Sequence, residues 1–177
     1  MLKWIMISIV AAIAAFAGYV AMLPSEFSVT RTAHIDAPPE AVFAQVNDYH
    51  NWQNWSPWAK LDPNAKATFE GANSGEGAAF GWSGNSEVGE GKMTITEAKP
   101  NERIVMRLEF FQPMQGTNET VFEFAPEGNG TRMTWAMSGH NGFIGRAICT
   151  FVNMDRMVGG MFEKGMANIN EIVKSKT

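Results

Sequence analysis

The spacing of hydrophobic and polar residues changes three times along this chain, and each change marks a different kind of element. From Trp4 to Leu23 no charge interrupts 20 positions. The run is apolar on every side, which excludes an amphipathic core helix. At ~1.5 Å rise per residue it spans about 30 Å, the thickness of a bilayer's hydrocarbon core. Lys3 precedes it, Pro24-Ser25-Glu26 ends it, and Trp4 and Tyr19 sit near its ends, where aromatic belts form. Ala15-Phe16-Ala17 fits a signal-peptidase site, so a cleaved signal peptide is the competing reading; a retained anchor better explains why apolarity continues past that site to Leu23. The expectation is an N-terminal transmembrane helix within residues 1–24, crossing through residues 4–23. Lys3 is the only base before the span, so the positive-inside rule places the following domain on the extracytoplasmic side.

Beyond the anchor the period becomes two. Phe27, Val29, Ala33 and Ile35 alternate with Ser28, Thr30, Thr32 and His34, which predicts a half-buried strand. Pro38-Pro39-Glu40 then opens a short helix that Asn47-Asp48 stops. Tyr49 to Trp58 holds too many turn formers for a long helix. From Lys66 onward strict alternation returns. Ile104, Met106, Leu108 and Phe110 share one face; Phe122 and Phe124 share another; so do Met133, Trp135 and Met137. Glycine, proline and asparagine clusters at 71–77, 84–89, 100–101, 113–117 and 128–130 separate six strands, which predicts an antiparallel meander with one wet and one dry face. After residue 153 the period lengthens. Met154, Met157, Val158, Met161, Phe162, Gly165, Ile169 and Ile172 recur at three and four, as in an amphipathic helix of about five turns that covers the dry face. The architecture expected is α+β, with helices on one side of a curved sheet.

Composition narrows the classes. Fourteen bases against eighteen acids give a net charge of −4, so no electrostatic case for nucleic acid exists. Only Lys3 lies in the first 23 residues, so the remaining 154 carry 13 bases and 18 acids, a net −5. One cysteine, Cys149, excludes an internal disulfide and reads as a small buried hydrophobe. His34, His50 and His140 are far apart, and no pair has metal-ligand spacing. No nucleophile elbow occurs, and Gly89-Glu90-Gly91-Lys92 lacks the serine or threonine of a phosphate loop. No cofactor motif caps the terminal helix.

Arg31 breaks the pattern, because its parity aims it at the dry face. A guanidinium there needs a carboxylate or carbonyl partner; Glu97, in phase with Met93 and Ile95, fits, a ligand carboxylate is the functional alternative, and a bulge or strand twist that turns Arg31 to solvent is the third. Seventeen of twenty aromatics and nine of twelve methionines lie beyond the anchor. Parity and helical phase aim Trp82, Met106, Trp135, Met154, Met157 and Met161 at the space between sheet and helix, with methionines forming an adaptable apolar lining. Trp52, Trp55 and Trp58 either pack the short helices or form the rim of that space. Gly159, Gly160 and Gly165 cost ~1 kcal/mol each against alanine, which suggests a close approach, a bend or a cavity wall.

The run Thr32-Ala33-His34-Ile35-Asp36-Ala37-Pro38-Pro39-Glu40-Ala41-Val42-Phe43, Trp52 with Trp55-Ser56-Pro57-Trp58, and Met154-Asp155-Arg156-Met157-Val158-Gly159 resemble the START-like (SRPBCC) superfamily. That superfamily includes polyketide cyclase/dehydrase-like proteins and the birch-pollen allergen. The resemblance covers Phe27 to the C-terminus and implies a helix-grip fold over 25–177: seven antiparallel strands wrapped round the long terminal helix, with a hydrophobic cavity between. The superfamily spans lipid transfer, cyclisation, hormone binding and chaperone activation, so fold does not choose among them. The leading expectation is a membrane-tethered module binding a lipid or other hydrophobic small molecule. A cyclase or dehydratase and a protein-interaction domain are the alternatives.

Overall fold

The alternation around Phe27 forms strand β1 (Glu26–Ile35) in a computed structural model that describes residues 1–175. The last two positions of the expected domain, 176 and 177, lie outside the described residues. Before β1, the uncharged run forms helix α1 (Leu2–Met22), long and apolar enough to cross a membrane. Val20 is its only buried side chain among the described residues.

Pro39 and Glu40 open helix α2 (Pro39–Asn47), where proline lacks a donor the first turn cannot use and the acid meets the positive helix end. Helix α3 (Tyr49–Trp55) follows, its Asp48 cap accepting from the His50 backbone N–H at 2.9 Å, and a 3-10 turn occupies Pro57–Lys60. The meander comprises β2 (Lys66–Gly71), β3 (Ala78–Ser83), β4 (Glu90–Lys99), β5 (Arg103–Gln112), β6 (Gly116–Glu127) and β7 (Gly130–His140). Turns fall where the breaks were expected; Asn101, at φ 62°, and Gly128, at φ 61°, supply the left-handed residues of two tight ones. All strands are antiparallel in the order β1-β7-β6-β5-β4-β3-β2, so β1 joins the meander along β7.

Helix α4 (Phe143–Cys149) was not foreseen; seven residues give periodicity too little length to register. It leaves Cys149 half-buried near Asn141, which corrects the expectation of a buried thiol. Helix α5 (Met154–Lys174) is the long terminal helix, capped by Asn153. The apolar faces of sheet and α5, with α2 and α3, enclose one core that includes Ile35, Ile104, Phe122, Met133, Met166 and Ile169. The molecule is a helix-grip α+β fold.

Candidate ligand site

The register stacks the inward side chains in rows across the sheet. Trp82 and Phe110 flank Gly91 in the outermost row, at the end where α1 leaves. Phe80, Met93, Leu108 and Phe27 form the next, then Ile95, Met106, Met137 and Val29. Ile104, Phe122, Trp135 and Arg31 follow, and Phe124 and Met133 lie nearest the far end. Burial rises along this series. Trp82, Phe110 and Phe27 are half-buried, Met93 and Leu108 are 9% exposed, and Met106, Ile104 and Phe122 are 0% exposed.

An aromatic stack fills the middle of the grip. Phe162 of α5 lies on Trp135 with centroids 4.1 Å apart and planes at 10°. Phe122, Trp55 and Trp58 contact the same indole at 4.7, 5.7 and 6.0 Å. Trp52 and Trp55 are therefore not a rim. They are buried, and their indole N–H groups donate to the carbonyls of Val46 and Gln45 at 3.0 and 2.9 Å. Those carbonyls belong to the last turn of α2, which has no intrahelical donors for them, so the two tryptophans finish that helix while packing it. Trp58 stays half-buried beside Phe162.

On α5 the buried stripe is Gly159, Phe162, Gly165, Met166, Ile169 and Val173. Met154 and Met161 are half-buried at its margin, and Met157 is 54% exposed. Met157 thus does not point into the grip. At 3.6 residues per turn it sits about 140° round the helix from Phe162; a stripe drawn through every three- and four-residue step was too wide. Gly159 and Gly165 do mark close approaches: a Cβ on the first would collide with the Arg31 guanidinium, and one on the second would lie 2.8 Å from Trp135. Gly160 faces open space.

Arg31 is held by α5 and not by Glu97. Its Nη1 and Nη2 donate to the two carboxylate oxygens of Asp155 at 3.0 and 2.9 Å, and Nε donates to Glu163 at 2.9 Å. The hydrogen bond to Asp155 raises the guanidinium's pKa, and the same contact holds Asp155 below the usual carboxylate value. Glu97 loses the parity of Met93 and Ile95 because β4 has a register shift between Ile95 and Glu97; it lies instead 3.4 Å from Lys99 and 3.9 Å from Arg103. At the other end of α5, Asp36 accepts from Lys174 at 2.7 Å and Asn170 at 3.4 Å, which lowers its pKa. The ion pairs tie α5 to β1 and to the residue that follows it.

The buried donors without a hydrogen-bond partner among the described residues include two within the core, the Tyr49 hydroxyl and the Trp135 indole N–H. Burial pushes the Tyr49 phenol far above its usual pKa, so it is a neutral donor. Sequence reasoning missed Tyr49, since an aromatic beside a helix cap carries no parity signal. Trp52 touches both rings, at 5.3 and 6.5 Å. No cluster of metal-binding side chains occurs among the described residues.

The wet face of the sheet is shaped differently. Ser28, Ser138, Glu119 and Arg107 stand in one row across β1, β7, β6 and β5. With Thr96, Thr117 and His140 they border a concavity of about 840 Å³, to whose lining Met106 also contributes. Phe27 and Gly139 also line it, and it opens to solvent.

Solved structures share this arrangement at low identity. A protein from Rhizobium loti is 22% identical with a TM-score of 0.55, covering 82% of this chain and 97% of its own. One from Mesorhizobium loti is 18% identical with a TM-score of 0.59, covering 82% and 98%. The Aha1 dimer from Colwellia psychrerythraea is 16% identical with a TM-score of 0.54, covering 81% and 98%. These likenesses concern the fold alone. None of the curated proteins matches the chain. The sequence model of one family does match, over residues 26–174, from the first strand to the end of the long helix: the chain belongs to the family described as polyketide cyclase / dehydrase and lipid transport, within the START-like superfamily.

Proposed function

We propose that this protein is a membrane-tethered module that binds a lipid or another hydrophobic small molecule at the open end of its grip. The observation that carries the reading is the burial gradient. The inward rows nearest α1 are aromatic and incompletely covered, at Trp82, Phe110 and Phe27, while the rows beyond Met106 are sealed. Half-covered aromatic surface facing inward suits an apolar ligand, because covering it releases water at about 25 cal/mol per Å². Trp82, Phe110, Trp58, Met154 and Met161 are the contacts assigned to the ligand, with Met106 and Trp135 behind them. The domain is tethered by α1 and lies on the extracytoplasmic side.

The cyclase reading needs a positioned acid or base. Arg31 and Glu97, which the sequence aims inward, are both engaged in ion pairs at the surface. The binding reading needs neither.

A photocrosslinking benzoylphenylalanine in place of Trp58 tests it in living cells. Irradiation is expected to add a discrete small-molecule mass to the intact protein, with no such adduct from the same residue at Arg132, exposed on the wet face of β7. Equal labelling at both positions overturns the site, and adducts to protein alone favour the interaction-domain reading.

A further inference from the structure

We propose that α4 and the residues after it form an interfacial segment immersed in the leaflet from which the domain emerges, so that the domain sits on the bilayer and does not hang from a flexible tether. This rests on the reading of α1 as a membrane span. Helix α4 buries none of its side chains. Ile144, Ile148 and Phe151 recur at four and three residues and are 65%, 39% and 80% exposed. Such a stripe is unusual on a water-facing surface and ordinary on a helix lying in a membrane interface. No acid occurs between His140 and Asp155, and Arg146 is the one base.

Contact with α1 fixes what covers the stripe. The rings of Phe16 and Phe151 are 5.9 Å apart. Arg146 Nη1 donates to the carbonyls of Ala21 and Leu23 at 3.1 and 3.0 Å, finishing the C-terminal end of α1. Asn141 N–H donates to the Ser25 carbonyl at 2.7 Å. Phe16 lies six residues before the end of α1, about 9 Å at 1.5 Å per residue, so Phe151 sits at that depth in the same leaflet. Interfacial helices bury their apolar faces about 5–10 Å. Arg146 falls at the headgroup level, where a cation is favoured. The β5–β6 turn extends from the same end of the sheet, since Phe110 pairs with Gly116 just beyond the level where Glu26 pairs with His140. Phe111 at the end of β5 and Met114 in the turn are 44% and 47% exposed. Apolar surface thus lies on more than one side of the point where the chain leaves the membrane, and lipid is the occupant continuous with α1.

The test places a nitroxide on the full chain, in a Cys149→Ser background, reconstituted in vesicles of phosphatidylcholine and phosphatidylglycerol. Separate proteins carry the label at Ile144→Cys, at Ile9→Cys in mid-α1 and at Asn129→Cys in the β6–β7 turn. Collision with oxygen, relative to a water-soluble nickel complex, is expected to be several-fold higher at 144 than at 129, and highest at 9. Phe151→Cys is a second reporter should the label at 144 disturb α4. Lipid-type collision at 9 with water-type collision at both 144 and 151 overturns the interfacial segment and leaves the anchor standing. Water-type collision at 9 overturns the span, and the segment with it.

Discussion

The two ends of the grip are made of the same sheet and similar residue types, yet they are finished differently. At the far end α2 and the C-terminal half of α5 leave Ile35, Ile104, Phe122, Met166 and Ile169 with no more than 1% exposure. At the end beside α1 the N-terminal half of α5 carries half-buried and exposed methionines, and Trp82, Phe110 and Phe27 stay half-covered. Burial of apolar area is the main stabilising term in folding, so the far end holds the fold together. The near end retains uncovered apolar surface, which is what a ligand or a bilayer can use.

Breaking the sealed end has the largest expected effect. Phe122→Ala removes a fully buried ring at a cost of about 3–5 kcal/mol, or roughly 6–20 °C in Tm for a domain of this size. Thermal unfolding checks it; a drop smaller than that of an open-end variant would reverse the comparison. Phe110→Ala at the open end removes a half-covered ring and is expected to cost about 1 kcal/mol. It should nonetheless lower the small-molecule adduct at position 58 more than Phe122→Ala does per degree of Tm lost.

Acid sharpens the comparison by releasing the ties of α5. Asp155 and Asp36 both have folded-state pKa values held below their usual range, by Arg31 and by Lys174. A depressed carboxylate contributes stability above its unfolded pKa and loses it as pH falls through the folded value. Tm is therefore expected to fall on acidification towards about pH 3. The Asp36→Asn/Asp155→Asn variant should be less stable at neutral pH and lose less on acidification; equal losses would mean that other carboxylates carry the effect. Met157→Phe is the smallest case. Met157 points to solvent beside the open end, so the change should stay within about 0.5 kcal/mol and leave the adduct at 58 unaltered. Clear destabilisation would place Met157 inside the grip after all.

The sequence by itself determined the elements whose signal is local. Alternation delivered β1 and the meander, glycine and proline clusters delivered the turns, and the uncharged run delivered α1, because each depends on residues within a few positions of one another. The longer period located α5, and its glycines announced close approach. Tertiary structure decided the rest. The bulge in β4 turned Glu97 away and left Arg31 to Asp155 and Glu163, a choice that depends on where α5 is docked. The carbonyls at the end of α2 drew Trp52 and Trp55 into the core, since orphan acceptors are satisfied by whatever donor the fold brings near. Helix α4 formed against the end of α1, more than a hundred residues away in sequence, where no local pattern could announce it. Periodicity reports which face of an element is apolar; what that face meets is fixed only when all the elements compete for the same covered surface.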